Sequence, residues 1–150
     1  MKVDVVFRGF LADVNLQFIT LLLEKSEECY FSSPEYNLDV DLVAILDVIE
    51  KSSYVDFYIV STEVVISEIH VPNVFANIGV DNGKVEILFF LDVQYLSSDF
   101  KTSLNLLNQW MKQFSTKFGF KYFRCQMDNG NEEEYYFDSN GYGPLGNGLR

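Results

Sequence analysis

From Tyr54 to Tyr95 the apolar residues recur at every second position, and β-branched and aromatic side chains dominate, so this stretch must fold as successive strands that each turn one face to a core. The pattern predicts strands at about 54–61, 63–71, 74–80 and 84–95. Asp81-Asn82-Gly83 joins the last two, and because Asn and Gly accept positive φ angles, the join reads as a tight antiparallel hairpin. A sheet built this way leaves an apolar face that other elements have to cover.

Helical stripes before and after it supply the cover. Residues 3–8 alternate, with Val3, Val5 and Phe7 on one face and Asp4, Val6 and Arg8 on the other, and read as a first strand that Gly9 ends. Asp13 is placed to cap a helix running to about Glu24 or Lys25, with Val14, Phe18, Leu21 and Leu22 facing inward. Pro34 punctuates the chain, and a second helix is predicted from about Asp39 to Lys51 with Leu42, Ile45, Leu46 and Ile49 inward; Asp39 and Asp41 near its start suit the helix dipole and read equally well as caps. A third helix follows Ser98 as cap, with Phe100, Leu104, Leu107, Met111, Phe114 and Phe118 in its stripe and Gly119 as its stop. A last hairpin pairs 121–127 with 132–138 across Asp128-Asn129-Gly130. The fold class is therefore α+β: a mainly antiparallel sheet with about three packed helices, forming a single domain over 1–138. A glycine-rich C-terminal tail of irregular structure is expected over 139–150.

The charge of this object narrows its partners. Acids outnumber lysine and arginine 22 to 11, for a net charge of −11, while 48% of the residues are hydrophobic, so the acids belong on the surface of a folded globule. Such a surface disfavours nucleic acid and anionic membranes, which need clustered lysine and arginine, and favours a cationic protein. No apolar run approaches the ~20 residues of a spanning helix, and the N-terminus alternates like a strand instead of opening as an export signal, so a cytoplasmic protein is expected. Cys29 and Cys125 stand nearly a hundred positions apart and read as reduced thiols of such a protein.

Motifs for chemistry are missing at the positions where they would be needed. His70 has no nucleophile and base around it and reads as a structural histidine; neither cysteine lies in a catalytic signature. Asp39-Val40-Asp41 lacks the glycine and later glutamate of a calcium loop, and one histidine with two distant cysteines makes a poor transition-metal set. No catalytic residue, metal site or cofactor is expected.

The acids are not evenly spread. Residues 24–50 hold Glu24, Glu27, Glu28, Glu35, Asp39, Asp41, Asp47 and Glu50 against Lys25 alone, whereas 100–127 hold five cations and no acid. In size, acidity, mixed α and β content and lack of catalytic motifs, the chain resembles the bacterial immunity proteins of polymorphic or contact-dependent toxin systems. The resemblance implies a cytosolic inhibitor that occludes the basic active site or substrate groove of one toxin domain, commonly a nuclease. Carboxylates would there replace phosphates as partners of lysine and arginine, with aromatics excluding water. The partner-binding residues expected on this basis are Glu27, Glu28, Tyr30, Glu35, Tyr36, Asp39 and Asp41. Two other classes stay open: a self-associating adaptor or structural subunit, which would make the chain a homo-oligomer, and an enzyme using two carboxylates in an aromatic-lined cleft.

Overall fold

A computed structural model describes residues 1–37 and 41–149. Eight strands form one sheet in the order β2-β3-β4-β5-β1-β6-β7-β8, with every neighbouring pair antiparallel. They are β1 (Lys2–Phe10), β2 (Ser26–Phe31), β3 (Tyr54–Ile66), β4 (Ile69–Asp81), β5 (Lys84–Asp92), β6 (Tyr122–Met127), β7 (Tyr135–Asp138) and β8 (Gly141–Tyr142). Three α-helices accompany them: α1 (Gln17–Leu23), α2 (Leu42–Lys51) and α3 (Phe100–Phe118). The expected α+β class with an antiparallel sheet and three helices is the one observed.

The strand at the chain's start lies deep inside the sheet, between β5 and β6. Both its edges are therefore paired, and Val3 to Phe7 are buried without a break despite the alternation of their side chains. Phe7 is the centre of the aromatic core, with the rings of Phe89, Trp110, Phe114, Phe120 and Phe123 at centroid distances from 4.6 to 6.5 Å. Phe18 of α1 meets Phe114 and Phe118 of α3, so these two helices cover the same face of the sheet. Ile45 and Ile49 of α2 join the same core.

Turn chemistry explains most of the hairpins. Asn82 (φ 47°) and Gly83 (φ 81°) both take the left-handed conformation between β4 and β5, as the Asn-Gly pair predicts. Between β3 and β4 the same geometry is adopted by Ser67 (φ 51°) and Glu68 (φ 68°), residues that do not advertise it. The expected strand at 63–71 is consequently split, its first half finishing β3 and its second half starting β4. Gly119 (φ 83°) ends α3 as expected, its amide bonded to the Ser115 carbonyl at 2.9 Å.

Several expected boundaries are corrected. The segment around Cys29, for which the sequence pattern predicts no element, is strand β2, an edge whose two glutamates masked its strand character. Helix α1 starts at Gln17, and Asp13 does not cap it; Asp13 sits in the preceding turn, 3.8 Å from Lys121. The cap of α3 is Asp99, which accepts the Thr102 amide at 3.0 Å, in place of Ser98. Glu132, Glu133 and Glu134 lie in the turn before β7 instead of inside it. After Asp138 the chain keeps its order: β8 pairs with β7, the Gly143 amide bonds to the Tyr136 carbonyl at 2.9 Å, and Leu149 is buried.

Candidate functional site: the open face of the sheet

Side chains in a strand point alternately to the two faces, so the covered face fixes the composition of the other. Opposite the helices, the cross-strand register assembles rows. One runs Tyr30, Tyr58, Asn77, Leu88, Val6, Arg124 and Asp138; the next runs Asp56, Gly79, Glu86, Arg8 and Tyr122. Aromatic rings cross these rows diagonally from the β2 edge. Tyr30 and Tyr58 lie 5.2 Å apart, Tyr58 stacks on Phe75 at 5.8 Å, Phe75 stands directly opposite Phe90, and the Lys2 ammonium sits 5.3 Å above the Phe90 ring. Half-buried aromatics on an uncovered sheet face give a large contact area that loses little side-chain entropy when a partner covers it.

Charges on this face divide into those already paired and those free to act. Arg8 Nε donates to Glu86 Oε2 at 2.7 Å. The Arg124 guanidinium lies 4.4 Å over the Tyr135 ring and donates to the Tyr122 hydroxyl at 2.9 Å and the Glu132 carbonyl at 3.2 Å. Asp4 is buried between β5 and β6, and desolvation raises its carboxyl above the usual range against the lowering effect of hydrogen bonds from Gln126 and the Asn129 backbone. Burial likewise raises the Tyr58 hydroxyl, helped by the nearby Asp56 and Tyr30. Among the described residues the carboxylates of Glu28, Asp56 and Asp81 have no hydrogen-bond or ion-pair partner.

The seven residues expected to bind a partner fall in different settings. Glu28 and Tyr30 point to the open face from β2, and Glu27 is exposed at the irregularity in that strand's register. Glu35 and Tyr36 lie exposed on a short 3-10 segment, Pro34–Asn37, with the Tyr36 ring edge-on to Phe31 at 5.7 Å. That turn is tied to the sheet edge by Asn37, whose side-chain amide accepts the Phe31 amide at 2.8 Å and donates to the Phe31 carbonyl at 3.0 Å, as a neighbouring strand would. The Asp41 carboxylate is engaged as the cap of α2, accepting the Ala44 amide at 2.8 Å. Asp39 lies outside the described residues. The edge strand and its following turn thus gather Glu27, Glu28, Tyr30, Glu35 and Tyr36, while Asp41 serves the helix.

Sequence reasoning missed Tyr58, Phe75, Phe90, Asp56 and Gly79, because the alternation was read only for the side that builds the core. The signal was present at the other phase, in Tyr54, Asp56, Tyr58 and Val60 of β3. His70 is exposed near the tip of the β3–β4 hairpin, its Nδ1 3.2 Å from Glu63. Cys29 and Cys125 are both free thiols. Among the described residues no group of three or more His, Cys, Asp or Glu is placed to hold a metal ion, and no helix is long and apolar enough to cross a membrane.

No family model and no curated protein matches the chain. Among solved structures, it is similar to a chain of the 1.75 Å crystal structure of the toxic C-terminal tip of CdiA from Pseudomonas aeruginosa in complex with immune protein, with a TM-score of 0.69 and 22% identity. The similarity covers 97% of this chain and 99% of that one, so nearly the whole fold has a counterpart in a chain of that complex.

Proposed function

We propose that this protein is an immunity-type inhibitor: a non-catalytic protein that binds one toxin domain in the cytoplasm and blocks its basic active site or substrate groove. The observation that carries the reading is the end-to-end likeness to a chain of a toxin–immune protein complex. Net charge of −11 supports the inhibitor's side of such a pair over the toxin's, since an acidic surface complements the cationic groove of a nucleic-acid-cutting domain. The docking zone starts at the β2 edge, with Glu27, Glu28, Tyr30, Glu35 and Tyr36, and the proposal extends to Asp41, at the start of α2, and to Asp39, two positions before it in the sequence. There the anions steer the encounter and the tyrosines exclude water once contact is made.

Co-expression in bacteria with the toxin domain encoded beside it tests this reading. Growth should be rescued by the parent chain and lost with Glu27→Lys combined with Glu28→Lys, at unchanged soluble yield. Failure of the parent to protect, or growth arrest by this chain expressed alone, contradicts it.

A further inference from the structure

On the open face, Gly79 stands between Asp56 and Glu86 and lines a hollow of about 690 Å³. Its rim carries the aromatic rings of Tyr54 and Phe10, both largely exposed. Two of the three cations that line it are already paired: Arg8 with Glu86, also of the lining, at 2.7 Å, and Lys121 with Asp13 outside it at 3.8 Å. What remains is Asp56 and Asp81, neither paired among the described residues, against Lys84. The uncommitted charge of the hollow is therefore negative, within a setting of aromatic faces.

We propose that this hollow is the anchor pocket for a basic side chain of the toxin partner, an arginine above all, with the guanidinium placed over Gly79 between Asp56 and Asp81 and flanked by the Tyr54 ring. Arginine fits better than lysine because its planar group stacks on an aromatic ring while its edges donate to two carboxylates. The inference deepens the inhibitor reading and rests on it. It extends the contact from the β2 edge across β3 and β4 to the middle of the sheet.

Gly79 permits a direct test. Its φ is outside the left-handed region, and a Cβ there would meet only the tip of Asp56, 3.0 Å away, and the Glu86 carbonyl at 4.0 Å. Gly79→Phe therefore places a ring over Gly79, where the guanidinium would sit, in a strand that favours aromatic residues over glycine, and it should fold with no loss of melting temperature. Binding of the toxin domain, measured by calorimetry, should weaken by about tenfold or more for Gly79→Phe, and similarly for Asp56→Asn with Asp81→Asn, as expected for a central anchor. If the parent binds and both variants bind within about twofold of it, while Glu28→Lys weakens binding, the hollow is not the anchor and the inhibitor reading survives. If the parent itself does not bind, both fall. A parent that is dimeric by light scattering and becomes monomeric with Gly79→Phe would assign the face to a second copy of this chain and overturn the proposal.

Discussion

Gly146→Ala should be among the most damaging small substitutions in this protein. Gly146 is buried where the segment after β7 folds back, and a Cβ on it would overlap the carbonyl oxygen of Tyr136, a backbone atom of β7 that cannot rotate out of the way. The segment has to lift off. Lifting it exposes Leu149, which is 8% exposed in place, at a cost of about 2 kcal/mol. It also breaks the bonds from the Gly143 amide to Tyr136 and from the Leu145 amide to Tyr135, each worth about 1 kcal/mol net. The loss comes to about 3–5 kcal/mol, which for a domain of this size lowers the melting temperature by about 6–20 °C. Thermal melting followed by circular dichroism measures it, with Gly148→Ala as control because a Cβ there meets nothing within 4 Å. A Gly146→Ala melt within about 2 °C of the parent would refute the docking of this segment and the reasoning from it.

Three further outcomes follow from the packing and electrostatics. Phe7→Ala, which empties the centre of the aromatic cluster, should cost about 3–5 kcal/mol in urea unfolding. Asn37→Ala removes both side-chain bonds to Phe31 and should cost about 1–2 kcal/mol, with faster hydrogen exchange at the Phe31 amide and little change at Phe57 in β3. Asp4 holds its proton more tightly folded than unfolded, so the parent loses stability as pH rises from 3.8 through the raised folded value and stays lower above it. Asp4→Asn should remove that decline in urea titrations across pH, and an unchanged profile would show that Asp4 is not desolvated.

The sequence discloses this fold wherever local chemistry and tertiary role agree. The stripe of α3, its Gly119 stop and the Asn82-Gly83 turn are each specified by the residues that perform them. Misreadings arise where context overrides composition. Ser67-Glu68 forms a tight turn because thirteen-residue strands on either side hold it in register, not through any preference of its own. Ser26–Phe31 becomes a strand because β3 offers it a sheet edge, although its glutamates argue otherwise. The glycines at 143 and 146 look like freedom in the sequence, yet they are sites of close approach to Tyr135 and Tyr136. In the candidate site the acids of β2 were legible as a charge run, but the aromatic diagonal from Tyr30 to Phe90 was not, since it joins four strands whose order no single segment encodes.

In the proposed complex an acidic sheet edge and face dock a cationic toxin domain, and the dissociation constant of that complex as a function of salt tests it most directly. Tight binding at about 50 mM salt that weakens at least tenfold by about 500 mM, with both the affinity and its salt dependence reduced by Glu27→Lys with Glu28→Lys, is the predicted result. Absence of a complex, or affinity indifferent to salt and to those two reversals, would contradict it.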